Sequence, residues 1–160
     1  METEKLKIKL ELYATMWRKP PQVEILIDNK TYFCWYVEGS KDKPTVIEFE
    51  HEFESDKEYN LVIKRSGKTD NDTVVNEKGD ITHDQLLHIK SVEIDEIDIG
   101  SLVYTAVYTP EYPELWAKQQ SDSGIKLEES FQNVVIMGHN GTWKFKFASP
   151  FYMWLLENLY

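Results

Sequence analysis

A polar segment spanning residues 66–94 carries four aspartates, Asp70, Asp72, Asp80 and Asp84, and leads into a run of alternating apolar residues. Hard cations such as Ca²⁺ take several oxygen ligands at once, and carboxylates held between strands can supply them. This segment is therefore a candidate site for a hard cation, and its oxygen ligands suit calcium better than zinc. The alternative reading of the same residue types is that the acids keep a long loop soluble and favour its turns.

Two tryptophans in predicted loops are candidates for carbohydrate binding. Trp17 precedes Pro20 and Pro21, and Trp116 lies in the proline-containing segment of residues 110–124. Sugars stack on aromatic faces that lie beside polar groups, and Trp combines a large apolar surface with a polar N–H. Each tryptophan is therefore a predicted sugar platform; the alternative is that each closes a loop against the core.

Signatures of catalysis are weak in this chain. There is no nucleophile elbow, phosphate-binding loop or His-Glu-x-x-His motif. Cys34 lies in an aromatic run and is expected to be a buried small hydrophobic residue. We therefore predict a protein that is not an enzyme. The remaining enzymatic alternative is a glycan-degrading enzyme that uses a pair among the 28 acidic residues.

Composition limits the partners. The chain has 160 residues, of which 41% are hydrophobic, and a net charge of −10, so we expect a single folded domain over residues 1–160. A strongly acidic chain is a poor match for nucleic acid or an anionic membrane, and no apolar stretch approaches the roughly 18 residues of a membrane span. With Cys34 as the only cysteine, no intramolecular disulfide can form, which suits a reducing compartment of origin.

Alternating apolar and polar residues predict many short strands. A turn at Asp28-Asn29-Lys30 predicts a hairpin, and a change of apolar phase within residues 86–94 predicts a β-bulge. Strands with one buried face and one solvent-exposed face are typical of antiparallel sheets. The pattern predicts an all-β fold, an antiparallel β-sandwich of jelly-roll type. The clearest strand segments are residues 8–12, 23–27, 47–53, 59–63, 101–108 and 141–147.

Two segments depart from the strand pattern. Residues 113–120 predict a short helix. Residues 149–160 predict a C-terminal helix with Ser149 as N-cap and Pro150 at the first helical position. This second helix is apolar nearly all round, so it is expected to pack on the domain itself or on a partner. The predicted interface residues are Phe151, Trp154, Leu155 and Tyr160.

The segment Asp84-Gln85-Leu86-Leu87-His88-Ile89-Lys90-Ser91-Val92, preceded by Asn71-Asp72, resembles a strand of calcium-dependent, xylan-binding carbohydrate-binding modules, which reads Asp-Arg-Asn-Leu-Tyr-Val-Asp-Ser-Val. The run from Glu24 to Lys30 resembles the leucine-valine-aspartate-glycine hairpin of the same modules. The resemblance covers roughly residues 8–94. It implies a β-sandwich, the fold of those modules, and makes calcium-dependent carbohydrate binding a candidate function.

Carried over position by position, the resemblance leaves Asp72 and Asp84 as the ligand candidates, with Asp70 as a helper. Four positions depart from the family pattern: its arginine, asparagine, tyrosine and second aspartate correspond here to Gln85, Leu86, His88 and Lys90.

The whole chain also resembles small structural proteins of large tailed bacteriophages that carry this type of module. That resemblance implies a non-catalytic component of the virion, made in the host cytoplasm. Such a protein would dock to other virion proteins, or to copies of itself, and present loops to a host surface glycan. The alternative functions are a free calcium-dependent lectin and, behind it, a glycan-degrading enzyme.

Overall fold

The computed structural model describes residues 2–159, which form twelve β-strands and two α-helices. The strands are β1 (Thr3–Thr15), β2 (Gln22–Ile27), β3 (Lys30–Tyr36), β4 (Thr45–Glu54), β5 (Lys57–Ser66), β6 (Val74–Val75), β7 (Ile81–His83), β8 (Leu86–Ile94), β9 (Ile97–Asp98), β10 (Val107–Pro110), β11 (Ile136–Met137) and β12 (Gly141–Ser149). The helices are α1 (Glu114–Asp122) and α2 (Phe151–Asn158). Neither helix is long and apolar enough to cross a membrane.

The strands form two antiparallel sheets and a small ribbon. The first sheet has the order β11-β8-β1-β4, with β9 attached to β8, and the second has the order β10-β12-β5-β2-β3. Strands β6 and β7 pair with each other in the aspartate-rich segment. The predicted all-β sandwich with a short C-terminal helix is confirmed.

The core lies between the two sheets because the alternating strands turn their apolar faces towards each other. The ring of Phe53, from β4 of the first sheet, is 4.7 Å from the ring of Tyr59 and 5.4 Å from that of Phe147, both in the second sheet. On β1 the buried residues are Leu6, Ile8, Leu10 and Leu12. A single apolar cluster thus contains residues of both sheets and of α2.

Consecutive strands β4 and β5 belong to different sheets, although only Ser55 and Asp56 separate them. Asp56 adopts a positive φ of 64°, which Asp tolerates in turns. Its N–H donates to the carbonyl of Ser149 over 2.7 Å. This short connection therefore carries the chain from one layer of the sandwich to the other.

The predicted hairpin and bulge are both confirmed. Strands β2 and β3 pair antiparallel across a turn in which Asp28 has a φ of 52°. Between β1 and β8, Glu11 pairs with Ser91 while Leu12 pairs with Ile89, so Lys90 is the extra residue. The bulge keeps the apolar residues on both sides of Lys90 in the core.

The start of α2 differs from the prediction. The helix begins at Phe151, one residue later than expected, and Ser149 does not act as the N-cap. Instead, the backbone N–H of Phe151 and the hydroxyl of Ser149 both donate to the same carboxylate oxygen of Glu4, over 2.7 and 2.8 Å. The cap thus comes from β1, which could not be read from the local sequence.

The structure buries part of the predicted interface on α2. Phe151 and Leu155 are buried in the chain's own core, and Trp154 packs against it. Phe151 and Leu155 therefore stabilise the sandwich itself, whereas Trp154 is half-buried; Tyr160 lies outside the described residues. The exposed face of the helix carries Tyr152, Met153, Leu156 and Leu159.

Three further predictions concern single elements. The strand expected at residues 101–108 is wrong over most of its length, because Gly100–Thr105 form a 3-10 helix and β10 begins at Val107. Helix α1 confirms the short helix expected at residues 113–120, displaced by one to two residues. The expectation that Cys34 is buried is wrong: the thiol is exposed. Cys34 lies on β3, which is the edge strand of the second sheet and has a partner strand on one side alone.

Candidate functional site

A cleft of about 640 Å³ opens where three segments meet. The first is the aspartate-rich segment after β5, the second is the start of α1, and the third is the turn before β12. The apolar lining residues are Val75, Ile81, Pro113, Leu115 and Trp116, and the polar ones include Lys68, Asp70, Thr73, Asp84, Glu111, Gln119, His139 and Asn140. The cleft thus brings together Asp70, Asp84 and Trp116 of the residues predicted from the sequence.

Trp116 lies on the α1 wall of the cleft and keeps 37% of its surface exposed. Its ring centre is 5.5 Å from the His139 ring and 5.7 Å from the Tyr112 ring, and the latter two rings meet edge-on at 5.2 Å. This cluster holds the indole against the turn before β12. An aromatic surface held in this way is a suitable platform for stacking.

The turn before β12 is fixed to both of its neighbours. The side-chain amide of Asn140 pairs with the backbone of Lys68, accepting from its N–H and donating to its carbonyl over 3.0 Å each. The N–H of Glu111 donates to the carbonyl of Asn140 over 2.6 Å. The hydroxyl of Tyr108 donates to the carbonyl of His139 over 2.7 Å and accepts from its N–H over 3.0 Å. The three walls of the cleft are therefore joined by hydrogen bonds.

Asp84 is held at the cleft by an ion pair and by hydrogen bonds. Its Oδ1 lies 2.7 Å from the Lys68 ammonium, and it accepts from the Thr73 hydroxyl and the Gln85 N–H over 2.8 Å each. Burial acts to raise the pKa of Asp84, but the hydrogen bonds from these three residues together bring that pKa below its usual value. Asp84 is therefore a carboxylate at neutral pH.

Asp72 is not one of the residues that line the cleft, and it is almost fully buried. Its Oδ2 accepts from the N–H and the hydroxyl of Thr69 over 2.8 and 3.1 Å, and lies 3.7 Å from the Lys19 ammonium. Burial acts to raise the pKa of Asp72, but the hydrogen bonds from Thr69 and the charges of Lys19 and Arg18 bring it below the usual value. Its Oδ1 is buried without a hydrogen-bond partner.

The residues predicted to hold Ca²⁺ do not fit that ion. Among residues 2–159, no three or more His, Cys, Asp or Glu side chains are grouped closely enough to form a metal site. Asp70 is exposed, while Asp72 and Asp84 each face a lysine ammonium. Ca²⁺ takes about six to eight oxygen ligands, whereas Asp72 and Asp84 each have one carboxylate oxygen that accepts no hydrogen bond.

Trp17, the other predicted platform, lies outside the cleft lining. Its indole N–H donates to the carbonyl of Asp72 over 3.1 Å, and its ring centre is 5.0 Å from the His83 ring. The side chain therefore joins the loop after β1 to the aspartate-rich segment. It nevertheless keeps 46% of its surface exposed.

Arg65 is a residue of this region that the sequence analysis missed. Arg65 is 2% exposed. Its guanidinium donates to the carbonyl of Met137. It also donates to the carbonyl and the side-chain oxygen of Gln85, over 2.5 and 2.9 Å. Burial lowers the pKa of Arg65 to about 10. The signal was present in the alternation of β5, because Arg65 continues the inward phase of Leu61 and Ile63.

Lys68, His139 and Asn140 were also missed as parts of the site. Lys68 lies in the same loop as the aspartates, so an ion pair could have been anticipated. His139 and Asn140 lie in a Gly-His-Asn-Gly turn that no local signal connects to that loop. Burial, followed by the charges of Lys68 and Arg65, lowers the pKa of His139, which favours a neutral imidazole at pH 7.

Comparisons with known proteins identify structural neighbours. No protein-family model matches the chain, and no curated protein matches it. One solved structure that matches is vCBM60 in complex with galactobiose, with a TM-score of 0.49 and 9% identity over 87% of this chain and 96% of that one. Another is the selenomethionine form of vCBM60, reported with a circular permutation that links two families of calcium-dependent carbohydrate-binding modules; its TM-score is 0.50, with 7% identity over 88% and 89%. At these identities the likeness concerns the fold, and it agrees with the two-layered sandwich.

Proposed function

We propose that the protein is a non-catalytic, carbohydrate-binding module and that the cleft beside Trp116 is its binding site. The observation that carries the proposal is the exposed indole of Trp116 on the wall of a cleft of about 640 Å³ that polar side chains also line. Ligand sites typically have volumes of about 300–1,000 Å³, with apolar walls and a few placed polar groups.

The cleft has the chemistry that a sugar ring requires. An indole surface covers the apolar C–H face of a pyranose, while carboxylates and amides bond to its hydroxyls. Asp70 and Glu111 are exposed at the cleft and can accept hydrogen bonds from hydroxyls. The known binding of carbohydrate by vCBM60, whose fold is similar, supports the proposal as a fold-level analogy.

Asp84 is unsuited to the role of the acid in a glycoside hydrolase. A glycoside hydrolase needs one carboxyl group with a raised pKa to protonate the leaving oxygen. The pKa of Asp84 is shifted the other way, and its Oδ1 is occupied by three donors. This carboxylate is suited to holding the loop in place.

Replacing Trp116 tests the proposal. Isothermal titration and affinity electrophoresis with xylan, galactobiose and lipopolysaccharide should identify a ligand for the wild-type protein. Trp116→Ala should then weaken binding by about tenfold or more, equivalent to about 1.4 kcal/mol. Trp35→Ala is the matched control, because Trp35 is 67% exposed and lies outside the cleft lining.

Two results would count against this assignment. If the wild-type protein binds no glycan of a broad panel, carbohydrate binding is rejected. If Trp116→Ala binds as the wild type does while Trp17→Ala does not, the binding surface is the one around Trp17.

A virion role is a second proposal, with docking to other virion proteins or to copies of the same chain. It is favoured by the outward face of α2, where Tyr152, Met153, Leu156 and Leu159 are 47%, 61%, 64% and 53% exposed. Apolar side chains grouped at a surface favour protein contacts. Light scattering after size exclusion, together with mass spectrometry of purified particles, tests this role. A chain that stays monomeric and is absent from particles contradicts it.

A further inference from the structure

We propose that the cleft works without calcium, because the ammonium group of Lys68, supported by Lys19, supplies the positive charge that the aspartates around it require. The inference deepens the proposed function, since it concerns the cation requirement of the proposed carbohydrate site. It differs from what is known of the calcium-dependent modules to which the fold is similar.

The first argument is the position of the Lys68 ammonium. It lies 2.7 Å from Oδ1 of Asp84 and donates to the carbonyl of Gly138 over 2.6 Å. The side chains of Lys68 and Asp84 are 12% and 20% exposed. The ammonium thus bridges a carboxylate and a carbonyl, which are the two kinds of oxygen that coordinate Ca²⁺. A Ca²⁺ ion entering this position would have to displace the Lys68 ammonium, which is largely buried.

The second argument is the number of oxygens left for an ion. Oδ1 of Asp84 already accepts from Thr73 and Gln85, and Oδ2 of Asp72 accepts from Thr69 and faces Lys19. The carboxylate oxygens left without a partner are Oδ1 of Asp72, which is buried, Oδ2 of Asp84, and those of the exposed Asp70. Among residues 2–159 no acidic cluster adds the further ligands that an ion would need.

The third argument is the structural role of the Lys68 ammonium. Lys68 connects Asp84 of the aspartate-rich segment to Gly138 of the turn before β12, and the Asn140 amide adds two more bonds between the same segments. A bound cation could serve the same purpose by drawing several loop oxygens together. Lys68 provides this link at any calcium concentration, so the shape of the cleft should not depend on the free ion.

A calcium titration of the full chain tests the inference directly. The protein is treated with EDTA, dialysed, and followed by thermal unfolding while CaCl₂ is added up to millimolar concentration. An ion present at 100 times its Kd would stabilise the fold by about 2.7 kcal/mol, a rise of roughly 5–11 °C in Tm for a chain of this size. We expect a change below about 1 °C. A saturable rise of several degrees would overturn the inference.

A pair of variants tests the role assigned to Lys68. In Lys68→Ala the carboxylate of Asp84 loses its charged partner, so we expect a lower Tm. Lys64→Ala removes an equal charge from an exposed position and should behave as the wild type. A Lys68→Ala variant that matches Lys64→Ala in Tm contradicts the assignment. If Lys68→Ala does not fold, the wild-type titration still decides the main question.

The outcome is separable from that of the proposed function. The titration uses no sugar, so it reports on the cation requirement whether or not a glycan binds. Glycan binding that persists in EDTA supports the inference, whereas binding that requires added CaCl₂ overturns it and leaves the carbohydrate proposal intact.

Discussion

Replacing Arg65 with methionine should reveal how strongly the buried guanidinium holds the sandwich beneath the cleft. Methionine fills a similar length without charge or donors. The substitution leaves the carbonyls of Met137 and Gln85 without the guanidinium donor they now share. Arg65 lies on β5 and contacts β11 and the residue before β8. These strands belong to both sheets, so the substitution should destabilise both of them.

The magnitude follows from these contacts. An unsatisfied buried acceptor costs about 1–3 kcal/mol, so two carbonyls cost about 2–6 kcal/mol. Burial of the charged guanidinium is itself unfavourable, as the lowering of the pKa of Arg65 to about 10 indicates. Methionine removes this buried charge, which offsets part of the loss in the free energy of unfolding. We therefore expect a net loss of about 3 kcal/mol in the free energy of unfolding, or roughly 6–12 °C in Tm.

Urea unfolding followed by tryptophan fluorescence and by circular dichroism measures this loss. Lys64→Met is the matched control, because it removes the same charge from the neighbouring exposed position and should change stability by less than about 0.5 kcal/mol. If Arg65→Met is as stable as Lys64→Met, the hydrogen bonds of the guanidinium contribute nothing net, and the reasoning is refuted.

Two further predictions concern carboxylates. Glu4→Ala removes the acceptor that caps the first turn of α2 and should lower the free energy of unfolding by about 1–2 kcal/mol; equal stability of Glu4→Ala and the exposed control Glu2→Ala would contradict this. The pKa of Asp84 is lowered in the folded chain, so its charged form stabilises the fold above about pH 4 and that contribution is lost as the pH falls through and below this value. The difference in urea midpoint between the wild type and Asp84→Asn should accordingly shrink from pH 7 to pH 3, whereas a constant difference would show that the ion pair with Lys68 is not coupled to folding.

Much of the local structure was readable from the order of residues. The period-2 patterns of residues 47–53 and 141–147 identify both the strands and their buried faces, because successive side chains of a strand point to opposite sides. The change of phase in residues 86–94 revealed the bulge at Lys90 for the same reason. Even the buried position of Arg65 follows from the alternation of β5, once that alternation is extended by one step.

Part of the candidate site was readable in the same way. The sequence indicated that the aspartate-rich segment is polar and that Trp116 is a candidate aromatic platform. In the structure Asp70, Asp84 and Trp116 line one cleft. What each carboxylate does was not readable, because its partner decides that. Residues 68 and 138, which the Lys68 ammonium joins, are far apart in the chain, and nothing local predicts their meeting.

The sequence by itself therefore determined most of the strands and their inward-facing side chains, since both depend on neighbours a few residues away; the exposed Cys34 is an exception. Only the tertiary structure decided that β4 and β5 lie in different sheets, that Glu4 caps α2, and that the Lys68 ammonium faces Asp84. The physical reason is that strand pairing and charge compensation depend on contacts between distant parts of the chain. Alternation indicates that a residue is buried, but it carries no information about what the residue is buried against.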